Sequence, residues 1–157
     1  MNKKQIVLSI FILLITGSCF SQNYINRDKA YAKKWLSKYA EKSNVKTIVH
    51  ENDSSLQLLV RDSTIQNLDI ILNYDKKDKC ESEQYILTCD SCYRKFLKAT
   101  LNNPFCRWTQ IDSNTYLARF PYRVILTAKL DNMFSFLMER SKIEGKIYRK
   151  MIRESLE

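Results

Sequence analysis

The sequence contains few residues of the types that build tight loops. Its 157 residues include only two glycines, two prolines and one histidine. Loops that cradle phosphate groups need several glycines at fixed spacings, so nucleotide hydrolysis and dinucleotide binding are not expected. The same scarcity excludes collagen-like and low-complexity segments. Because 45% of the residues are hydrophobic and 11% are aromatic, the chain has enough apolar side chains for an ordinary packed core.

Long hydrophobic runs are also scarce, and the one at the N-terminus is short. Lys3 and Lys4 precede an apolar run from Ile6 to Ile15, which is about half the length that a membrane-spanning helix requires. This pattern predicts a signal peptide over residues 1–21, cleaved before Gln22. Alternatively, Thr16-Gly17-Ser18-Cys19 resembles a bacterial lipobox, which implies lipidation of Cys19. The predicted location is the periplasm or cell envelope, with lipid anchoring through Cys19 or secretion as variants.

Hydrophobic periodicity predicts three amphipathic helices. Behind the capping segment Asn26-Arg27-Asp28, aromatic side chains recur at every fourth position from Tyr31. Asp90 and Ser91 open a second helix, which ends at Asn102-Asn103-Pro104 because the residue before a proline disfavours helical geometry. The third helix occupies the C-terminal region, and its apolar positions are Ile143, Ile147, Tyr148, Met151, Ile152 and Leu156.

Short segments of alternating polarity between these helices predict two sets of four strands. The first set comprises Val45 to Glu51, Leu56 to Asp62, Leu68 to Tyr74 and Gln84 to Thr88. The second set comprises Phe105 to Ile111, Thr115 to Phe120, Arg123 to Leu130 and Met133 to Arg140. Turn-forming residues separate the strands, including the pair Asp131-Asn132.

The predicted fold class is therefore α+β, with a helix plus a four-stranded antiparallel sheet and a C-terminal helix. Tyr31 to Leu36 aligns with Cys92 to Leu97, and this match suggests a duplicated unit (α-β4-α-β4) with repeats at 24–89 and 90–141. Two unrelated helix–hairpin units are the alternative. Residues 22–157 form one predicted domain, with the terminal helix at 142–157. Tandem modules of this kind resemble those of some exported bacterial inhibitor and sensor proteins, a likeness of architecture that implies no functional residue.

Four cysteines follow the predicted signal peptide: Cys80, Cys89, Cys92 and Cys106. An even number in an exported chain predicts disulfides. Ten helical residues cover about 15 Å and five strand residues about 17 Å, so the second helix should return along the fourth strand and bring Cys106 near Cys80. The predicted pairs are Cys80 with Cys106 and Cys89 with Cys92.

Cys89-Asp90-Ser91-Cys92 is the one motif that carries chemistry. The motif stands between a predicted strand and a predicted helix. The N-terminus of a helix lowers the pKa of a cysteine thiol placed there, here Cys89. The alternative interpretation is therefore a thiol–disulfide redox site, with Cys89 as the nucleophile and Cys92 as the resolving cysteine. Asp90 and the predicted antiparallel hairpins argue against it, as does Pro121, which has no clear place opposite the motif. A four-cysteine zinc site is a further alternative, but the motif is not accompanied by a second CxxC. No cofactor or metal is predicted.

Other candidate groups have simpler structural interpretations. His50 could act as a base for Ser54 or Ser55, but no nucleophile-elbow glycines accompany them. A ligand-stacking face could form from Trp35, Trp108, Tyr116 and Tyr122, although aromatics at periodic positions usually join the core. The basic residues of the terminal helix could dock on an anionic membrane, or could simply be solvated; they are Lys142, Lys146, Arg149, Lys150 and Arg153.

The formal net charge of +9 favours anionic partners. Export separates the chain from most nucleic acid, and no zinc-finger, helix-turn-helix or RNP-like motif is present, so nucleic acid is not a predicted partner. The predicted function is a non-enzymatic envelope module that binds a protein or an anionic envelope component, with peripheral membrane association as a variant. Thiol–disulfide exchange through Cys89 and Cys92 is the alternative function.

Overall fold

The computed structural model describes residues 24–42, 46–61, 67–119, 122–128 and 134–156. The predicted signal peptide, Cys19, Pro121 and the turn Asp131-Asn132 lie outside these ranges. The described residues form three helices, which are α1 (Lys29–Lys42), α2 (Asp90–Leu101) and α3 (Gly145–Glu154). They also form eight strands: β1 (Lys46–Glu51), β2 (Ser55–Arg61), β3 (Asn67–Tyr74), β4 (Cys80–Leu87), β5 (Trp108–Gln110), β6 (Thr115–Ala118), β7 (Val124–Ala128) and β8 (Ser135–Arg140).

All eight strands belong to one antiparallel sheet with the order β1-β2-β3-β4-β8-β7-β6-β5. The prediction of a four-stranded sheet in duplicated helix–strand units was therefore wrong, and the fold is mostly β. The physical reason is the pairing of β4 with β8, from Ser82 opposite Glu139 to Ile86 opposite Ser135. Because a strand of the first set pairs with a strand of the second set, the two sets form one sheet.

One face of the sheet, here called the inner face, carries the main core. In the strand register Leu58 stands opposite Ile70, Ile70 opposite Tyr85, Tyr85 opposite Phe136 and Phe136 opposite Ala128. All five side chains are at most 4% exposed, and the Tyr85 and Phe136 rings stack with centroids 4.8 Å apart. A continuous apolar row thus crosses the β4–β8 junction.

Helices α1 and α2 pack on the inner face. Ala32 and Leu36 of α1, and Cys92 and Tyr93 of α2, belong to the same core cluster as the row of sheet residues. Within the predicted capping segment, Asp28 caps the first turn of α1, because the Tyr31 N–H donates to Asp28 Oδ1 at 2.7 Å. Each helix therefore buries the apolar side that its sequence period predicts.

Strand β4 begins earlier than the sequence pattern indicated. Tyr74 pairs with Cys80 and Asn73 pairs with Ser82, which leaves Glu81 as an extra residue in a bulge. The bulge returns Cys80 to the inner face, where it is fully buried. The sequence pattern leaves the charged interval from Asp75 to Glu83 between the third and fourth predicted strands, and in the structure only the part before Cys80 is the turn between β3 and β4.

Helix α3 is attached at the β6–β7 end of the sheet. The buried Tyr148 hydroxyl donates to Ala118 O at 2.9 Å and to Val124 O at 2.7 Å. Burial raises the pKa of Tyr148 to about 12, so the hydroxyl stays protonated as a donor at neutral pH. Tyr148 is the only residue described as buried on α3, and this one contact fixes which side of the helix faces the sheet.

Replacement of Tyr148 with phenylalanine should destabilise the fold by about 1–3 kcal/mol, because the one hydroxyl proton that two carbonyl oxygens share is lost while the ring packing is kept. Denaturant unfolding of the variant measures the change. Tyr122→Phe is the matched control, since Tyr122 is 41% exposed and should change stability by less than about 0.5 kcal/mol. Equal effects of the two substitutions would contradict the assigned role of the Tyr148 hydroxyl.

Candidate functional site

The face of the sheet opposite the core, here called the outer face, carries an apolar stripe. Ile48 stands directly opposite Leu59 in the register. From Leu59 the stripe continues diagonally through Ile71 and Ile86 to Leu137, one residue on each successive strand. Diagonal neighbours lie about 7–8 Å apart, within reach of long side chains. These five residues, the outer stripe, cross β1, β2, β3, β4 and β8, and all are at least partly exposed.

Two polar pairs lie beside the outer stripe. Arg61 forms an ion pair with Asp69 on the neighbouring strand. The Asn73 side-chain amide donates to Ser82 Oγ at 2.9 Å. A partner that covers these two pairs would bury polar groups that keep their own hydrogen-bond partners. This lowers the free-energy cost of removing them from water.

The outer stripe reaches solvent most openly at the edge strand β1. Ile48 is 37% exposed and Val49 is 38% exposed, and adjacent residues of a strand point to opposite faces. Ile48 lies on the outer face, whereas Val49 lies on the face that carries the helices. The two side chains are thus equally accessible but belong to different surfaces.

Cys89 and Cys92 form a disulfide at the start of α2. Cys89 is the N-cap residue, and its Sγ accepts a hydrogen bond from the Cys92 N–H at 3.1 Å. Ser91 Oγ lies 3.3 Å from the same sulfur. Cys89 is partly exposed, whereas Cys92 is 2% exposed. The structure therefore contains this predicted pair, with one partly exposed and one buried cysteine.

The predicted bridge between Cys80 and Cys106 is not formed in the structure, where both residues are buried thiols. Segment lengths alone do not take into account that β8, β7 and β6 lie between β4, which begins at Cys80, and β5, which follows Cys106. The Cys80 Sγ donates to Ser82 O at 3.4 Å, within its own strand. Burial, and then the neighbouring Glu83, raise the pKa of the Cys80 thiol, so this thiol stays protonated.

Sequence reasoning missed Glu83, which is a fully buried acid on the inner face. Its Oε1 accepts the Ile25 N–H at 2.7 Å, and Tyr85 donates its hydroxyl to Oε2 at 3.1 Å. Desolvation raises the pKa of Glu83 to about 8, opposed by the hydrogen bonds from Tyr85 and the N-terminal backbone. The available signal was the alternation Glu83, Tyr85, Leu87, which places the acid on the core side once β4 is extended.

Glu83 helps to attach the N-terminal segment to the sheet. Tyr24 and Ile25 are buried, the Asn26 N–H donates to Cys80 O at 2.8 Å, and the Cys80 N–H donates to Arg27 O at 2.8 Å. The N-terminal segment of the described chain is therefore an integral part of the domain, and α1 starts from a fixed position.

The remaining predicted site residues are not brought together. The Ser54 hydroxyl donates to Asn52 Oδ1 at 3.4 Å, and neither Ser54 nor Ser55 is hydrogen-bonded to His50. Three of the four aromatic candidates, Trp35, Trp108 and Tyr116, pack against the core cluster, whereas Tyr122 is exposed. Within the described residues, no group of three or more His, Cys, Asp or Glu side chains could hold a metal ion.

Comparison with known proteins gives no further guide to the site. No protein-family model, no curated protein and no solved structure matches this chain. Of the helices in the described part of the chain, none combines the length and the hydropathy that a membrane crossing requires.

The buried Glu83 predicts a stability that falls as pH rises. Its folded pKa of about 8 lies above the ordinary pKa of a glutamate, 4.5, so the folded state favours the neutral acid. This contribution is fully present below pH 4.5 and is lost as pH increases through about 8, with a size of a few kcal/mol. Chemical unfolding between about pH 5 and pH 9 measures the decline.

Glu83→Gln keeps a hydrogen-bond acceptor for the Ile25 N–H and cannot ionise, so it should flatten this pH profile. Glu139→Gln is the control, because Glu139 is exposed on the adjacent strand and should leave the slope unchanged. Two outcomes would show that Glu83 does not control the pH dependence of stability. One is a wild-type stability that stays constant or rises over this pH range, and the other is a Glu83→Gln profile as steep as that of the wild type.

Proposed function

We propose that this chain is a non-enzymatic exported module that binds a protein partner through the outer face of its sheet. The observation that carries the proposal is the outer stripe, an apolar band across five adjacent strands that lies beside two polar pairs, Arg61 with Asp69 and Asn73 with Ser82. Interface centres in proteins combine apolar contact with few unpaired charges. Export rests on the N-terminal sequence pattern and is part of the proposal.

The shape and charge of the stripe favour a protein over the other partner classes. Adjacent strands are about 4.8 Å apart, so five strands span about 19 Å across the sheet, and the diagonal stripe is longer than this. A surface of this length suits a protein better than a small molecule. An anionic polysaccharide would require unpaired cations along the band, whereas Arg61 is paired with Asp69. The outer stripe therefore fits an apolar protein surface.

The matched pair Ile48 and Val49 tests this proposal. Ile48→Lys places a charge within the outer stripe, and Val49→Lys places the same charge at an equally exposed site on the other face. Affinity capture from a native envelope extract, quantified by mass spectrometry, should retain one specific protein with the wild type and with Val49→Lys. The same protein should be depleted at least about tenfold with Ile48→Lys, as for a charge buried in an interface centre.

Ile71→Lys is a second variant in the middle of the stripe and should reproduce the loss. Thermal unfolding of each variant establishes that the fold is retained. Capture of the same proteins by the Ile48→Lys and Val49→Lys variants would overturn the proposal, as would the absence of any protein specific to the wild type.

Thiol–disulfide exchange is the second candidate function, and the unequal exposure of Cys89 and Cys92 favours it. In addition, Arg94 Nε lies 2.8 Å from Asp90 Oδ2, which partly offsets the negative charge beside Cys89. Against it, every strand pairing in the described sheet is antiparallel. We therefore rank this function below partner binding.

A glutathione titration of the Cys89–Cys92 pair separates a structural role from a catalytic one. A structural disulfide should have a reduction potential below about −300 mV, and the protein should not accelerate insulin reduction. A Cys89→Ser, Cys92→Ser double variant provides the baseline for both measurements. A potential above about −230 mV together with catalysed insulin reduction would move the redox function to first place.

A further inference from the structure

Helix α3 presents a basic surface directly away from its buried side. At 3.6 residues per turn, its basic side chains lie about 100° to 200° around the helix axis from Tyr148. These side chains, here called the basic arc, are Lys146, Arg149, Lys150 and Arg153, and all four are exposed. Because Tyr148 is hydrogen-bonded to the sheet, the basic arc must face outward.

The positive charge of the basic arc is only slightly compensated. Among the described residues, the arc has one ion pair, between Lys150 and Glu154 at 3.5 Å with both side chains well exposed. Exposed pairs of this kind contribute little. The arc therefore retains most of its charge toward solvent.

Arg123 adds a further cation beside the basic arc. Its guanidinium donates to Ile143 O at 3.0 Å. A methyl group placed on Gly145 would lie 3.0 Å from Arg123 Nη1 and 3.7 Å from Arg149 Nη1, so these two nitrogens are at most about 7 Å apart. Like charges at this separation repel, and an anion between or above them would relieve the repulsion.

We propose that the basic arc, together with Arg123, docks the protein on a membrane surface that carries anionic lipid headgroups. Charge complementarity selects this occupant, because the arc offers clustered cations on long flexible side chains and an anionic leaflet offers mobile phosphates that rearrange to meet them. Ile147 lies about 60° beyond the arc around the helix axis and is 52% exposed, so an apolar side chain is available beside the basic arc. The contact is peripheral and mainly electrostatic.

Vesicle co-sedimentation tests this surface with the form that begins at Gln22. Vesicles with about one-third phosphatidylglycerol in phosphatidylcholine should bind at least about tenfold more strongly than pure phosphatidylcholine vesicles. Raising the salt from about 50 mM to about 300 mM should remove most of this difference, because exposed charges are screened.

The Lys146→Glu, Arg149→Glu double variant should lose at least about tenfold in affinity for the anionic vesicles. Lys34→Glu, Lys95→Glu is the matched control: it changes net charge equally at exposed residues of α1 and α2 and should lose less than about threefold. Ile48→Lys should bind these vesicles as well as the wild type, which separates this proposal from the proposed function. Equal losses in the two double variants, or no preference for anionic vesicles, would overturn the proposal.

Discussion

The antiparallel pairing of β4 with β8 is the contact on which the rest of the fold depends. It joins the first four strands to the last four, and it brings Tyr85 beside Phe136 in the middle of the core. Without it each set of strands would expose an edge and would have half of the apolar face on which α1 and α2 pack. The N-terminal segment also meets β4, at Cys80 and Glu83, so this strand links three distant parts of the chain.

A buried acid at this junction is costly in isolation, and its surroundings explain how the fold tolerates it. The Ile25 N–H and the Tyr85 hydroxyl satisfy both oxygens of Glu83, and burial holds its pKa high enough for the neutral form to predominate at neutral pH. A neutral, hydrogen-bonded carboxyl avoids the large penalty of a buried charge. The interaction also specifies position, because only one alignment of the N-terminal segment places the Ile25 N–H against Oε1.

Local patterns in the sequence predicted local structure well and long-range pairing poorly. The helices and the Cys89–Cys92 pair depend on neighbours in sequence, and the structure contains all of them. The single sheet depends on β4 meeting β8, and alternation within a strand does not specify which edge it will join. For the same reason the outer stripe was not visible in the sequence, since Ile71 and Ile86 become neighbours only through the register of β3 with β4. Glu83 was missed because a charged run resembles a loop until its alternation with Tyr85 is considered.

The two proposed surfaces share no residue and rely on different forces. The outer stripe runs from β1 to β8, whereas α3 is attached at the ends of β6 and β7, beyond β8 in the strand order. Contact through the stripe would depend on apolar burial, which moderate salt does not weaken, whereas contact through the basic arc would decline as charges are screened. Because the two surfaces share no residue, a protein held on the sheet could be retained beside a membrane. Ionic strength would then release the protein from the membrane without separating it from its partner.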